Sequence, residues 1–276
     1  MLSIHQYYQK VLEETEKQQI IEIAIPGAGK LVSFETDTLI DIKEIIGIAI
    51  INPNPKQAGH GTLRLRIGDT EILPEKFHAD LIAKFNHKQV NTQLEFGFRD
   101  YIFPVRVKAE GSPVKISYTE PVDGGSGKLY LYLLGKKNPF NLDIPDYRFQ
   151  VIEQFVPQGS NDKDVEIAIK AKTIQSHQRV VGAMLLGYAN RIKSVALAID
   201  ETTILPEGMS GQLVTKQIVN SQSISNGIFI KHIIPFTLLI HPCYLNAQNS
   251  KIEGKMSVIP DPDNDYSVFL YLLTTL

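Results

Sequence analysis

The chain has 276 residues, a formal net charge of −2 and 43% hydrophobic residues, enough apolar material for two cores. That charge excludes the basic excess that general phosphate-backbone binding needs, and no polybasic membrane-surface anchor occurs. The single cysteine, Cys243, rules out an intramolecular disulfide, which fits folding in a reducing compartment or a fold that needs no staple.

In chain order, the first 19 residues carry Glu13, Glu14, Glu16 and Lys17 without an unbroken apolar stretch, so they do not read as a secretory signal. Ser3 and Gln6 have capping-box spacing, and Ile4, Tyr8, Val11 and Leu12 share one stripe. This pattern predicts a helical arm reaching Gln19. Lying ahead of the first barrel strand, the arm is expected to be dispensable for folding and needed for assembly.

Beyond the arm the apolar period is two. Leu63, Leu65 and Ile67 alternate with Arg64 and Arg66, and Val105 and Val107 with Arg106 and Lys108. Val165, Ile167 and Ile169 alternate with Glu166, Ala168 and Lys170, and Phe149, Val151 and Phe155 form another set that Glu153 interrupts. Turn clusters such as Asn52-Pro53-Asn54-Pro55 and Gly124-Gly125-Ser126-Gly127 separate these runs. About eight short strands per half result, the number a jelly roll requires. Pro74 opens a predicted short helix through Phe85, with Phe77, Leu81 and Phe85 four apart, and Pro206 opens its equivalent, with Met209 and Leu213. Lys136–Asp146, with Pro139 and Pro145, reads as a short stiff linker that fixes the angle between two units. No apolar run approaches the ~20 residues of a spanning helix.

The chain is written twice. Ile67–Glu75 (IGDTEILPE) recurs as Ile199–Glu207 (IDETTILPE), 132 residues on. Ile45-Ile46-Gly47 matches Val180-Val181-Gly182, and Leu131–Leu134 (LYLL) matches Leu270–Leu273. Ile25-Pro26 falls opposite Val156-Pro157, and Phe103-Pro104 opposite Ile234-Pro235. The five matches keep one order, as tandem duplication requires. The expected fold is all-β: two tandem jelly-roll or β-sandwich domains with an N-terminal helix and short helices after the ILPE segments. The boundaries are 1–18 for the arm, 19–137 for the first barrel, 138–146 for the linker and 147–276 for the second barrel.

Chemistry-bearing patterns mostly dissolve. Gly27-Ala28-Gly29-Lys30 and Gly127-Lys128 lack the earlier glycine of a phosphate loop and read as turns. The seven histidines (5, 60, 78, 87, 177, 232 and 241) include no pair one residue apart on a strand, so a cupin-type metal site is not expected. Asp261, Asp263 and Asp265 have the spacing of a calcium-loop opening, but Tyr266 replaces its glycine and Leu272 its bidentate glutamate. Pro260 and Pro262 favour a plain polar turn there. Asp162, Asp164 and Glu166 share the spacing and run straight into a strand. No serine sits in a nucleophile elbow, and 30 acidic residues offer carboxylate pairs too freely to be informative. No catalytic residue, cofactor or resident metal is expected, and Asp261, Asp263 and Asp265 stand as the calcium candidate.

A helical arm, two jelly-roll-sized units, a stiff connector and no active site resemble the double-jelly-roll major capsid proteins of tailless icosahedral viruses, the adenovirus hexon lineage. The resemblance covers the whole chain through architecture, so no functional residue carries over. It implies a structural virion protein, not an enzyme: homotrimers of two-barrel subunits act as pseudo-hexameric capsomers of an icosahedral shell. It further implies assembly in the host cytoplasm, lattice neighbours as partners, and contact of the arm with other virion proteins or an inner membrane layer, with no specific nucleic acid. Three alternatives stand beside it. A two-domain adhesin or glycan-binding protein should expose an aromatic cluster. A minor virion spike or decoration protein would also be all-β. A hydrolase or lyase on a sandwich scaffold should show a deep polar pocket in one copy only.

Overall fold

The computed structural model describes residues 10–37, 39, 41–52, 61–79, 82–85, 102–122, 124–137, 146–160, 164–172, 179–187, 191–211, 215–217, 241–246 and 250–275. The chain forms two compact units, with a break between Tyr147 and Arg148.

The first unit contains β1 (Lys17–Ile25), β2 (Leu31–Glu35), β3 (Glu44–Asn52), β4 (Thr62–Ile67), β5 (Thr70–Leu73), β6 (Ala83–Phe85), β7 (Phe103–Lys108), β8 (Val114–Thr119) and β9 (Gly127–Lys136). One sheet runs β1-β9-β3, with β7 and the three-residue β6 both on the far edge of β3; the other runs β2-β8-β4-β5. With β6 set aside, eight strands remain in the order first-eighth-third-sixth over second-seventh-fourth-fifth, the two-sheet wrapping of a jelly roll.

The second unit repeats this order. It contains β10 (Tyr147–Val156), β11 (Val165–Lys172), β12 (Arg179–Gly187), β13 (Ile192–Ile199), β14 (Thr202–Ser210), β15 (Thr215–Gln217), β16 (His241–Asn246), β17 (Lys251–Val258) and β18 (Tyr266–Thr275). Its sheets run β10-β18-β12, with β15 and β16 on β12, and β11-β17-β13-β14. The extra strand recurs too: β6 pairs in parallel with Ile50–Asn52, and β15 in parallel with Leu185–Gly187.

The repetition reaches single residues. A bulge interrupts β3 between Ile45 and Gly47, and β12 between Val180 and Gly182. Four positive φ angles fall in matched pairs: Gly68 (54°) with Asp200 (50°), and Lys76 (67°) with Gly208 (79°). In each pair the left-handed position holds glycine in one copy and an L residue in the other, so the fold demands the conformation and the residue accommodates it. Lys76→Gly is expected to stabilise the protein by about 1 kcal/mol or slightly less in thermal melts. Asp200→Gly should do the reverse, because the Asp200 carboxylate accepts the Lys251 amide at 2.8 Å, a cap that glycine cannot supply.

Alternation builds each core. β4 buries Leu63, Leu65 and Ile67 and turns Arg64 and Arg66 outward, and β8 does the same with Val114, Ile116 and Tyr118. In the second unit, Val156, Ile169, Leu185, Leu197, Ile252, Met256, Val268 and Leu270 from both sheets form one cluster.

Three expectations need correction. The arm is helical over 10–14, and Lys17–Gln19 already belong to β1; Ile4 and Tyr8 lie outside the described residues. Nor is the arm peripheral, because Val11 is fully buried and its Cγ1 would lie 2.6 Å from a Cβ on Gly47. Neither helix after ILPE starts at its proline: Ala79 and Gly211 are helical, next to residues outside the described set. Residues 74–77 form a turn, in which the left-handed Lys76 breaks a helix starting at Pro74 while Phe77 is buried; His78 bridges to Thr62, and Ala83–Phe85 are β6. Pro206–Ser210 stay in β14, an edge strand, where a missing N–H leaves no partner unmet. Gly211 is helical, with the next three residues outside the described set. No helix among the described residues is long and apolar enough to cross a membrane.

Candidate functional site

The acidic run before β18 is a braced turn. Asp261 Oδ1 accepts the amides of Asp263 (2.9 Å) and Asn264 (3.3 Å), and its Oδ2 lies 2.5 Å from the Arg191 guanidinium. Arg191 also donates to the Pro260 carbonyl at 2.7 Å. Asp265 accepts the Gln158 amide at 2.7 Å, tying the β10–β11 connection to this turn. The Asp261 and Asp265 carboxylates therefore serve separate turn contacts, and among the described residues no group of three metal-binding side chains converges. The Asp263 amide, more than Arg191, holds the Asp261 carboxyl below its ordinary value. A depressed carboxylate contributes stability above its unfolded pKa and loses it as pH falls through the folded value. Asp261→Asn should therefore flatten part of the acid limb of the melting curve below about pH 4, and calcium should leave the wild-type midpoint unchanged. Beside this turn, burial raises the Tyr266 hydroxyl to about 12 while it donates to the Ile259 carbonyl at 2.7 Å.

The other sequence candidates are structural. Gly29 sits at φ 63° in the β1–β2 turn, and Gly125 donates its amide to the buried Glu120 at 3.2 Å. Glu120 also accepts the Tyr118 hydroxyl at 2.7 Å, and that hydroxyl accepts the Gly61 amide at 3.0 Å, so this end of the first barrel is a closed network. Glu166 pairs with Lys255 at 3.8 Å on the outer face of the second unit. A shallow depression there, lined by Ala196, Ala198, Thr203 and Glu207, is spanned by the Lys255–Glu207 ion pair. His78 bridges to Thr62, and His241 and Cys243 lie in β16. The remaining histidines and Asp162 lie outside the described residues.

What stands out is the contrast between the outer faces of the two sheets in each unit. On β2-β8-β4 the outward rows are Leu31-Thr119-Thr62, Ser33-Ser117-Arg64 and Glu35-Lys115-Arg66, polar apart from the exposed Leu31. On β1-β9-β3 they are Ile20-Tyr132-Ala49 and Glu22-Tyr130-Ile51. The second unit repeats the contrast. Glu166, Lys255 and Glu207 lie outward on one sheet. On the other, Phe149 meets Tyr271 edge-on at 6.1 Å, next to Leu273 and Phe269. A glutamate sits at the same place in both apolar faces, and each is satisfied locally. Glu22 accepts Lys128 Nζ at 2.7 Å and the Tyr130 hydroxyl at 3.2 Å, and Glu153 accepts the Ser267 hydroxyl at 2.6 Å. The Lys128 ammonium holds the Glu22 carboxyl below its ordinary value. These faces escaped the sequence reading, although a signal existed: in Leu129–Leu134 and Val268–Leu273 the alternation fails and every residue is apolar or aromatic, as happens when both faces of a strand are meant to be covered.

The geometry defines a double jelly roll with one apolar outer sheet face per unit. No protein-family profile and no curated protein matches the sequence. Among solved structures, the chain is similar to the major capsid protein P2 from bacteriophage PM2, with 13% identity, 94% of this chain and 98% of that one covered, and a TM-score of 0.43. It is similar to PBCV-1 VP54 fitted into a reconstruction of the virophage Sputnik, at 9% identity, 94% coverage of both chains and a TM-score of 0.40. For the mavirus major capsid protein the identity is 7%, the coverage 95% and 84%, and the TM-score 0.31.

Proposed function

We propose that this chain is a structural virion protein, a major capsid protein whose homotrimers act as pseudo-hexameric capsomers of an icosahedral shell. The observation that carries this reading is the pairing of two equivalent jelly rolls in one chain with an apolar outer sheet face on each. Three such chains offer six similar units, the number that fills a hexagonal lattice position. The useful surfaces are contact surfaces, not a cleft, and the role is non-enzymatic. The working division is an arm ahead of β1, which begins at Lys17, a first barrel through 137, a connector at 138–146 and a second barrel at 147–276. The partners are other copies and virion components, and the location is the virion, after assembly in the host cytoplasm.

Light scattering of the purified protein should give three times the 30.9 kDa chain mass, with six-lobed particles in negative stain. A monomer that persists at high concentration would overturn this assignment, and binding to a glycan array would then favour an adhesin.

A further inference from the structure

Three connections meet at one end of the second barrel, and one aspartate fastens them. Asp261 holds the β17–β18 turn, its Oδ1 accepting the Asp263 and Asn264 amides at 2.9 Å and 3.3 Å. Its Oδ2 pairs with the Arg191 guanidinium from the β12–β13 connection, which also donates to the Pro260 carbonyl at 2.7 Å. The Asp261 backbone carbonyl accepts the Gly159 amide of the β10–β11 connection at 2.9 Å. A Cβ on Gly159 would lie 3.1 Å from Pro260, so the two connections touch. The first unit closes the corresponding turn differently: the Pro121 carbonyl accepts both the Gly29 and the Gly124 amides at 3.0 Å. Backbone does in one copy what an ionisable side chain does in the other.

We infer that Asp261 is an acid-operated fastening: protonating its carboxyl releases the β10–β11, β12–β13 and β17–β18 connections together while the sheets of the second barrel stay folded. The inference is independent of the capsid reading. A protonated carboxyl loses the charge that holds Arg191 and strengthens the two amide bonds. Once that side chain is loose, the carbonyl of the same residue is no longer kept in line with the Gly159 amide. Gln158, beside Gly159, is tied to the same turn through Asp265 at 2.7 Å, so the β10–β11 connection follows the turn. Among the described residues, the charged and titratable groups facing Asp261 are Arg191, Tyr266 from β18, and Asp263 and Asp265 of its own turn; Gln158 and Gly159 bring none. The Asp263 amide, aided by Arg191, holds the Asp261 carboxyl below its ordinary value. The fastening is therefore shut at neutral pH, and it opens as pH falls through that depressed value, below about pH 4.

The test is hydrogen exchange of the full chain from neutral to acid pH, read at single residues and corrected for the intrinsic pH dependence of exchange. Gly159 is the decisive amide, because its acceptor is a backbone carbonyl that does not titrate. Below about pH 4 it should exchange at least roughly fivefold faster than at neutral pH, in step with Asp263 and Asn264. The amides of Leu197 and Val268, buried in the core strands, should stay protected over the same range. In Asp261→Asn the acid step at Gly159 should vanish, and Gly29 in the first unit should exchange as in wild type. The step is the readout, so a variant that is merely looser at neutral pH still decides the matter. Arg191→Gln should keep the step and move it to higher pH, since a cation that favours the ionised carboxyl is gone. An acid step that survives unchanged in Asp261→Asn overturns the fastening. So does Gly159 protection that persists until Leu197 and Val268 exchange, because the end of the barrel then opens only by unfolding.

Discussion

Gly61→Ala should unfold the first jelly roll at a temperature roughly 10 °C or more below wild type, a loss of at least about 3 kcal/mol. A Cβ at this position would lie 1.6 Å from the Thr119 carbonyl oxygen and 2.7 Å from its carbon. Both are backbone atoms of β8, the strand that pairs with β4, and Thr62 is matched to Thr119. The clash cannot be relieved by rotating a side chain; the end of the β4–β8 ladder has to open. Opening it also breaks the Gly61 amide bond to the Tyr118 hydroxyl, and with it the support of the buried Glu120 carboxylate. An unmet buried carboxylate is costly. The comparison is Gly27→Ala in the β1–β2 turn, where nothing lies within 4 Å of the added carbon; it should change stability by less than about 0.5 kcal/mol. If both variants melt alike, the close approach of β4 and β8 is not what holds this end of the barrel.

Much of the architecture was legible because a jelly roll needs strands of period two, and the sequence alternates plainly at Leu63–Ile67 and Val105–Lys108. The duplication was legible because its matched words fall where backbone geometry is most constrained. The IGDT and IDET segments share a left-handed residue at their second position, and Gly47 and Gly182 share a bulge. Such sites tolerate little drift, whereas outward positions vary freely. Residue spacing misled where tertiary demands decided the outcome. Phe77, Leu81 and Phe85 have helical spacing, but Phe77 is buried by a turn through Lys76, and the chain is then needed at the edge of β3. Pro206 reads as a helix start only to an observer who does not know that β14 is an edge strand. There Pro206–Gly208 form a bulge opposite Ala196, between the pairs Leu197–Leu205 and Val195–Met209.

The candidate contact face shows the opposite limitation. Its residues are ordinary core-forming types, and composition cannot tell a strand covered twice inside one chain from a strand covered once by its own barrel and once by a neighbour. Only the register, which places Ile20, Tyr132 and Ala49 in one outward row, brings the apolar outer face into view. The calcium candidate meets a related limit. Spacing puts carboxylates near one another, but Asp261 faces its own turn amides and Arg191, and Asp265 faces Gln158.

Removing residues 1–16 should destabilise the first unit by roughly 3–5 kcal/mol while leaving the transition of the second unit in place. Val11 is fully buried over Gly47, and burial of one such side chain is worth about 1.5–3 kcal/mol. The same segment supplies Glu14, which pairs with Lys136, a residue only 8% exposed at the end of β9. It also supplies Glu16, whose amide donates to the Gly135 carbonyl at 3.0 Å and whose carboxylate accepts the Lys137 amide at 2.6 Å. Without these groups, Lys136 loses a charged partner in a half-closed site, and the outer face of β3 and β9 is stripped where it was sealed. The chain has no tryptophan, so unfolding is best followed by circular dichroism in urea, with tyrosine emission as a second probe. Val11→Ala alone should account for about 2 kcal/mol of the loss, and Glu14→Gln for less, because Glu14 is about one-third exposed. If the truncated chain melts like wild type but no longer assembles, the arm acts between copies, and its packing on Gly47 is incidental to folding.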